Sequence, residues 1–456
     1  MFKTFFIKEV SMGLKRPMIY IFLFIFTAIS FIGAINVDIT FGGASGSVLK
    51  NAPYVISQYT ANLSIIALLI ATAYFNNAAL KDYQNNFAGI LFSNPINKFS
   101  YYFGRFFGGL FLATIPLLGV FLGFSLGTQI SLDEGLEGVR RIGLLQPRTF
   151  INNYLLFVLP NMFVAGAIIF SIANKWKNTV ISFIATIVII VAYLISGTFI
   201  NDISTENFGA LIDVMGLRAY TIDTKYFTSI EKNTNVVSFA GWLLINRLLW
   251  VSIGVLTLAY SYFSFSFIQK QQKVKNEKKH TSRKAVFQLF KLPETSANFS
   301  FHTSYLQFVS FFKINLYTIL KSNTFKILLF FGVLILINKL FNGFEYYGLQ
   351  SYPVTNKMLA FNRPISMIMG MIILVFFSGE LIWRERASVI NGVIDSTPHI
   401  SLTILLAKTC ALIVISLLFD ILLIIISVLY QLLNGYTNSE IDVYLLDLLY
   451  TGLPMY

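Results

Sequence analysis

The stretch PMIYIFLFIFTAISFIGAI, Pro17 to Ile35, runs for nineteen residues without a charge, and LTILLAKTCALIVISLLFDILLIIISVLY, Leu402 to Tyr430, interrupts twenty-nine residues only at Lys408 and Asp420. At about 1.5 Å of rise per residue, some 20 such residues cross a ~30 Å hydrocarbon core as a helix. Neither run alternates apolar with polar residues, so a β-barrel, whose strands carry a period of two, is excluded. Of 456 residues 56% are hydrophobic, above the roughly 45–50% of soluble domains. The expected fold class is therefore an all-α polytopic membrane protein.

Reading apolar runs between charge clusters places spans near 17–35, 55–79, 104–127, 151–174, 178–199, 241–268, 325–341, 360–379 and 404–430, with the start of another from about 441. Threaded alternately, these leave one set of loops rich in Lys and Arg: Lys3, Lys8, Lys15, Arg16, Lys81, Lys98, Arg105, Lys175, Lys177, the tract 270–284, Arg384, Arg386 and Lys408. The other set holds most of the acids, including Asp38, Asp133, Glu134, Asp202, Glu206, Asp213 and Asp223. The positive-inside bias makes the first set, and the N-terminus with it, cytoplasmic. The same bias explains the net charge of +13 without a nucleic-acid partner. A single cysteine, Cys410, precludes an intrachain disulfide, and no Cys/His cluster suggests a metal. The first apolar run is too long for a signal peptide and no small-x-small cleavage site follows it.

Two amphipathic segments precede spans. Phe2 to Arg16 puts Phe2, Phe6 and Val10 on one face with Lys8 and Lys15 elsewhere, and Ser304 to Ser322 repeats the pattern before the seventh span. Each reads as a leading helix lying at the headgroups of the lipid membrane, or as the start of a long spanning helix. The basic tract KQQKVKNEKKHTSRK at 270–284 reads as a solvated linker near anionic lipid. The expected division is a first half over 1–269, a linker over 270–303 and a second half over 304–456, the last with three spans and the beginning of a fourth, as in a truncated copy.

An internal repeat organises the halves. Residues 80–105 align without a gap on residues 383–408, pairing Asp82 with Glu385, Gly89 with Gly392, Ser93 with Ser396, Pro95 with Pro398 and Arg105 with Lys408. Six spans separate the copies, so both halves have one orientation, unlike an inverted-repeat carrier. In each copy the apolar residues recur at helical spacing, and the residue before each proline, Asn94 or Thr397, is pushed out of α geometry and ends a short helix. The apolar face is expected to supply contact with a partner. The charges Lys81, Asp82, Glu380, Arg384, Glu385, Arg386 and Asp395 are expected to set register.

Gly104, Gly108, Gly119, Gly123 and Gly127 recur at four-residue spacing, which lets helix backbones approach closely. Asp420 falls near the midplane of the last long span, where an ionisable group is costly; a place on a translocation path and a hydrogen-bonded structural acid both remain open. The segment 201–240 reads as a folded extracytoplasmic cap or a long loop.

With these features together, the chain resembles the type-2 ABC exporter permeases, and more narrowly the membrane portion of bacterial permeases fused to a gluzincin-type zinc aminopeptidase. The stretches that carry the likeness are NAPYVISQ, SNPINKFSYYFGRFFGG, GLRAYTIDTKYFTSIEKNT, INRLLW and GELIWRERASVINGVIDSTP with Lys408. The resemblance implies a bacterial inner-membrane permease, two parallel-related halves, and coupling elements at Lys81 to Pro95 and Glu385 to Pro398. It also implies a separate ATP-binding cassette subunit as partner, with a dimer or second permease subunit as a further candidate. ATP would be bound by that partner, because this chain contains no G-x-x-x-x-G-K-[ST] loop. His280, His302 and His399 are far apart and form no H-E-x-x-H. Two other readings follow: the anchor of a zinc aminopeptidase whose catalytic domain lies beyond residue 456, and an ion-coupled carrier.

Overall fold

The computed structural model describes residues 1–456 except 37, 40, 201–203, 268–299, 343, 347–348, 389, 397–399 and 456. Thr397, Pro398, His280, His399, Asp202 and the basic tract 270–284 thus lie outside the described residues. The chain divides into two compact units, Met1–Phe267 and Ile268–Tyr456.

The first unit contains α1 (Phe2–Leu14), α2 (Pro17–Ile35), α3 (Pro53–Gln84), α4 (Ala88–Phe92), α5 (Lys98–Thr114), α6 (Leu118–Asp133), α7 (Glu137–Arg140) and α8 (Pro147–Asn153). It continues with α9 (Leu159–Trp176), α10 (Thr179–Ser196), α11 (Glu206–Ile212), α12 (Leu217–Asp223), α13 (Ser229–Thr234) and α14 (Gly241–Ser264). The second unit contains α15 (Phe301–Lys321), α16 (Asn323–Asn342), the two-residue strands β1 (Glu345–Tyr346) and β2 (Leu349–Gln350), α17 (Thr355–Ala387), α18 (Asn391–Asp395), α19 (Ser401–Leu433), α20 (Ile441–Asp447) and α21 (Leu453–Met455). β1 and β2 pair antiparallel, Glu345 with Gln350. Nine helical segments among the described residues are long and apolar enough to cross a membrane. The protein is an all-α, multi-pass membrane protein.

Local chemistry sets the boundaries. Proline opens α2, α3 and α8, where its missing N–H costs nothing and its fixed φ suits the first turn. The Asn97 side chain accepts from the backbone N–H groups of Phe99 and Ser100 to cap α5, and Asn178 does the same for α10. Pro116 interrupts the third span with a 3₁₀ turn at Ile115–Leu117, because it can neither donate a helical hydrogen bond nor avoid the preceding turn.

In the first unit α3 is central, packed against α5, α9 and α10. Within its most apolar window 72% of residues are buried, against 28% for the peripheral α2 and α14. The glycines of α6 let it lie directly on α2: a Cβ at Gly123 would stand 2.5 Å from the Thr27 carbonyl oxygen, and one at Gly119 2.5 Å from that of Leu23. Gly127 meets Ala34 in the same way. Gly123→Leu is accordingly expected to separate α2 from α6 and destabilise the unit by about 1–3 kcal/mol or more, read as a lower thermal midpoint in detergent. An unchanged midpoint would remove the close-packing argument.

The charged stretches that the sequence places in connecting elements are helix ends. α3 runs on to Gln84 and α17 to Ala387, so Lys81 and Asp82, like Glu380, Arg384, Glu385 and Arg386, sit in the last turns of spanning helices. Only Ala88–Phe92 and Asn391–Asp395 form the short helices. Each is five residues long and ends two residues before the position expected from its proline. Ser93 Oγ donates to the Ile90 carbonyl and Ser396 Oγ to that of Val393, both at 2.8 Å, local bonds that compete with continuing the helix.

Candidate functional site

The repeat read from sequence is a structural repeat with the same register. The second span ends at Gln84 in one unit and Ala387 in the other, the short helix covers 88–92 and 391–395, and the third span starts at Lys98 and Ser401. Each boundary recurs 303 positions later. The leading helices α1 and α15 repeat at 306 positions, which superposes Phe2, Phe5, Phe6, Leu14 and Lys15 on Phe308, Phe311, Phe312, Leu320 and Lys321. In that register the stacked pair Phe2–Phe6, 6.4 Å between centroids, corresponds to the stacked pair Phe308–Phe312 at 6.2 Å. The repeat extends beyond the third span as well. A π-helical turn at Tyr154–Val158 precedes Leu159 and Pro160, and another at Leu448–Gly452 precedes Leu453 and Pro454.

Each short helix presents two apolar side chains to the exterior of its unit, Phe87 and Ile90 in one, Ile390 and Val393 in the other. These are corresponding positions. Gly89 and Gly392 lie in open space, with nothing within 4 Å of where a Cβ would be. Pro95 is in the turn leading to α5, Asp395 and Ser396 are exposed, and Arg386 is exposed over the Trp383 ring at 5.2 Å.

The charges expected to face a partner behave differently in the first unit. Arg105 on α5 donates through Nη1 to Glu9 Oε2 and through Nη2 to Asp82 Oδ2, each at 2.5 Å. Lys81 Nζ reaches the same Glu9 oxygen at 2.5 Å, and the Tyr101 hydroxyl donates to Asp82 Oδ2 at 2.9 Å. Glu9 is 1%, Arg105 6% and Asp82 7% exposed. Lys81 and Asp82 are therefore engaged within the unit, tying α3 to α1 and α5. In the second unit the aligned pair, Lys408 and Glu385, forms a salt bridge of 2.9 Å. Glu380 and Arg384, one turn apart on α17, act on each other electrostatically.

Glu9 is absent from the sequence reading. It is the single acid of a segment otherwise carrying Lys3, Lys8, Lys15 and Arg16, and it is admitted by the glycines of α5. A Cβ on Gly108 would meet Glu9 Cβ at 2.6 Å, and one on Gly104 would meet Phe5 Cβ at 2.7 Å. Burial pushes the Glu9 carboxyl above its ordinary value while Arg105, Arg16 and Asn77 pull it back. Its charge thus depends on its cations staying in place.

On the opposite side of the first unit, residues 206–234 form a packed cap of α11, α12 and α13. Asn246 Nδ2 donates to the carbonyls of Ala210 at 2.5 Å and Asp213 at 2.8 Å, Trp250 Nε1 to that of Leu211 at 2.9 Å. Arg247 Nη1 donates to Asn161 Oδ1 at 2.6 Å and Nη2 to the Val214 carbonyl at 3.2 Å. The INRLLW stretch is thus the clamp that fastens the cap to α9 and α14.

Asp420 lies buried on α19 and accepts from Ser366 Oγ of α17 at 2.6 Å. It borders a small cleft of about 40 Å³ with Asn362, Arg363, Asp447 and Gly452, enough for one or two water molecules. Arg363 pairs with Asp447 at 2.5 Å at that cleft. Among the described residues no group of His, Cys, Asp and Glu is placed to hold a metal ion. Comparison with protein-family models, with curated proteins and with solved structures finds no match to this chain.

Proposed function

We propose that the chain is the transmembrane permease of an ATP-binding cassette exporter, set in a bacterial inner membrane with its N-terminus in the cytoplasm and driven by separate ATPase subunits. The observation that carries this reading is the pair of short helices at corresponding positions. Each follows the last turn of a second span, each offers two neighbouring apolar side chains, and behind each stands the same acid–base pair, Asp82 with Arg105 and Glu385 with Lys408. A duplicated handle suits a partner that presents the same groove twice. Movement of that partner on nucleotide binding would be transmitted through α4 into α3 and α5, and through α18 into α17 and α19.

The test is co-purification of an ATPase with the full-length protein. The variants Phe87→Ser with Ile90→Ser, and Ile390→Ser with Val393→Ser, are expected to lose the ATPase while still inserting in the membrane, since these side chains are exposed and lie outside the spanning helices. An ATPase retained by both variants, or none captured by the unmodified protein, overturns the proposal. One observation favours a second reading, an ion-coupled carrier: the buried Asp420 beside Ser366 in a small polar cleft. Transport that survives ATP depletion but stops in Asp420→Asn would select it.

A further inference from the structure

The aligned registers make a position-by-position comparison of the two polar clusters, and one feature of it is not inherited symmetry. In the first unit the cluster is Glu9, Asn77, Lys81, Asp82 and Arg105; the corresponding residues of the second are Asn315, Glu380, Arg384, Glu385 and Lys408. All five positions differ in identity and two of them in charge, yet each cluster has two acids and two bases. The acid at the leading helix, Glu9, has become the amide Asn315, and the amide on the second span, Asn77, has become the acid Glu380. Asn77 already touches Glu9, donating from Nδ2 to Oε1 at 3.4 Å, so in the first unit the two exchanged positions are neighbours. Asn315 and Ile319 are the buried residues of α15, as Glu9 and Gly13 are those of α1. The third span receives the leading helix on Gly104 and Gly108 in one unit, and the corresponding residues of α19, on which α15 packs, are the fully buried Ala407 and Ala411.

We infer that the two clusters are alternative versions of one positioning device, in which a single carboxylate neutralises the base at the end of the second span from either of two adjacent sites. Net charge is held at zero because a surplus charge at this depth is costly, whereas the placement of the acid is free. The exchange has a mechanical consequence. With Glu9 on the leading helix, α1 is tied ionically to α3 and α5. With Glu380 on the second span, Glu380 and Arg384 lie one turn apart on α17 and act on each other electrostatically, and α15 is left with a buried Asn315 whose Nδ2 has no hydrogen-bond partner among the described residues. The leading helix of the second unit is therefore the less firmly held of the two, and Glu9 is a positioning residue for the helix ends that carry α4.

A double-mutant cycle on the full chain tests this. Glu9→Asn leaves Lys81 and Arg105 facing Asp82 alone, and Asn77→Glu puts a third carboxylate beside Glu9, offset only in part by the exposed Arg16 that donates to Asn77 Oδ1 at 2.8 Å; each is expected to lower the thermal midpoint in detergent by roughly 5 °C or more. The double variant rebuilds the arrangement of the second unit and is expected to recover at least half of the summed loss. Amide exchange across residues 2–14 should stay faster than in the parent, because the acid no longer sits on α1. If Glu9→Asn does not accumulate, the mirror pair Glu380→Asn and Asn315→Glu with Glu380→Asn is decisive in the second unit. Recovery in either unit supports the inference, and losses that simply add in both overturn it, whether or not an ATPase binds.

Discussion

Replacing Arg105 with methionine is expected to destabilise the first unit by about 3–5 kcal/mol, the cost of removing one member of a buried ionic group and leaving its partners uncompensated. Arg105 joins Glu9 on α1 to Asp82 on α3 from its own position on α5. Without it two buried carboxylates are left with Lys81, which pairs with Glu9, and with the electrostatic pull of the exposed Arg16 on Glu9. Glu9, already pushed upward by burial, would be pushed further up without Arg105, and the tie between α1 and α3 would weaken. For a unit of this size the loss corresponds to a fall of about 10 °C in the thermal midpoint. Arg105→Lys should be intermediate, because an ammonium cannot offer one fork to two carboxylates on different helices. The corresponding change in the second unit, Lys408→Met, removes one bridge whose side chains are 11% and 22% exposed, and its effect should be smaller. A midpoint for Arg105→Met within a degree of the parent would show that the cluster is not what holds the leading helix.

Much of the fold is legible in the sequence because membrane spans are written in long, unambiguous runs and because the chain repeats itself. The gapless alignment of 80–105 on 383–408 finds both short helices and matches Asp82 to Glu385 and Arg105 to Lys408, though the second spans run on past the apolar runs to Gln84 and Ala387. What it does not show is which way the charges face. Amphipathic reasoning sends charged residues of a surface helix to water or headgroups, and Lys81 and Asp82 at a membrane edge look solvated. They are buried because the glycines of α5 bring α1 close enough for one acid, Glu9, to enter from another segment. A residue whose partners lie 72 and 96 positions away leaves no periodic trace. The short helices end before their prolines for an equally local reason, the hydroxyls of Ser93 and Ser396. The clamp is a third such case: INRLLW reads as an apolar helix carrying one arginine, and nothing in its spacing announces that Asn246, Arg247 and Trp250 reach the backbone of the cap.

That clamp carries the other large expected effect. Arg247 is 4% exposed and satisfies Asn161, Asn246 and the Val214 carbonyl while lying beside Gly216, whose φ of +72° and missing Cβ make room for the guanidinium. Arg247→Met strands those acceptors and leaves Asp213, fully buried, without one of the cations that offset its desolvation. The expected loss is about 3–5 kcal/mol, concentrated in the cap, so that residues 206–234 become open to limited proteolysis while the spanning helices stay protected. The pH dependence has a definite sign. Burial raises the Asp213 carboxyl above its ordinary value, so its contribution to stability is complete below the usual carboxylate range and is lost as pH rises through the raised value. Removing Arg247 raises that value further. The defect of Arg247→Met should therefore be milder near about pH 5 than near about pH 8, and adding Asp213→Asn should flatten the difference, since an amide does not titrate. A defect equally large at both pH values would mean that Arg247 acts through its hydrogen bonds to Asn161 and Val214 alone, with no part played by the charge of Asp213.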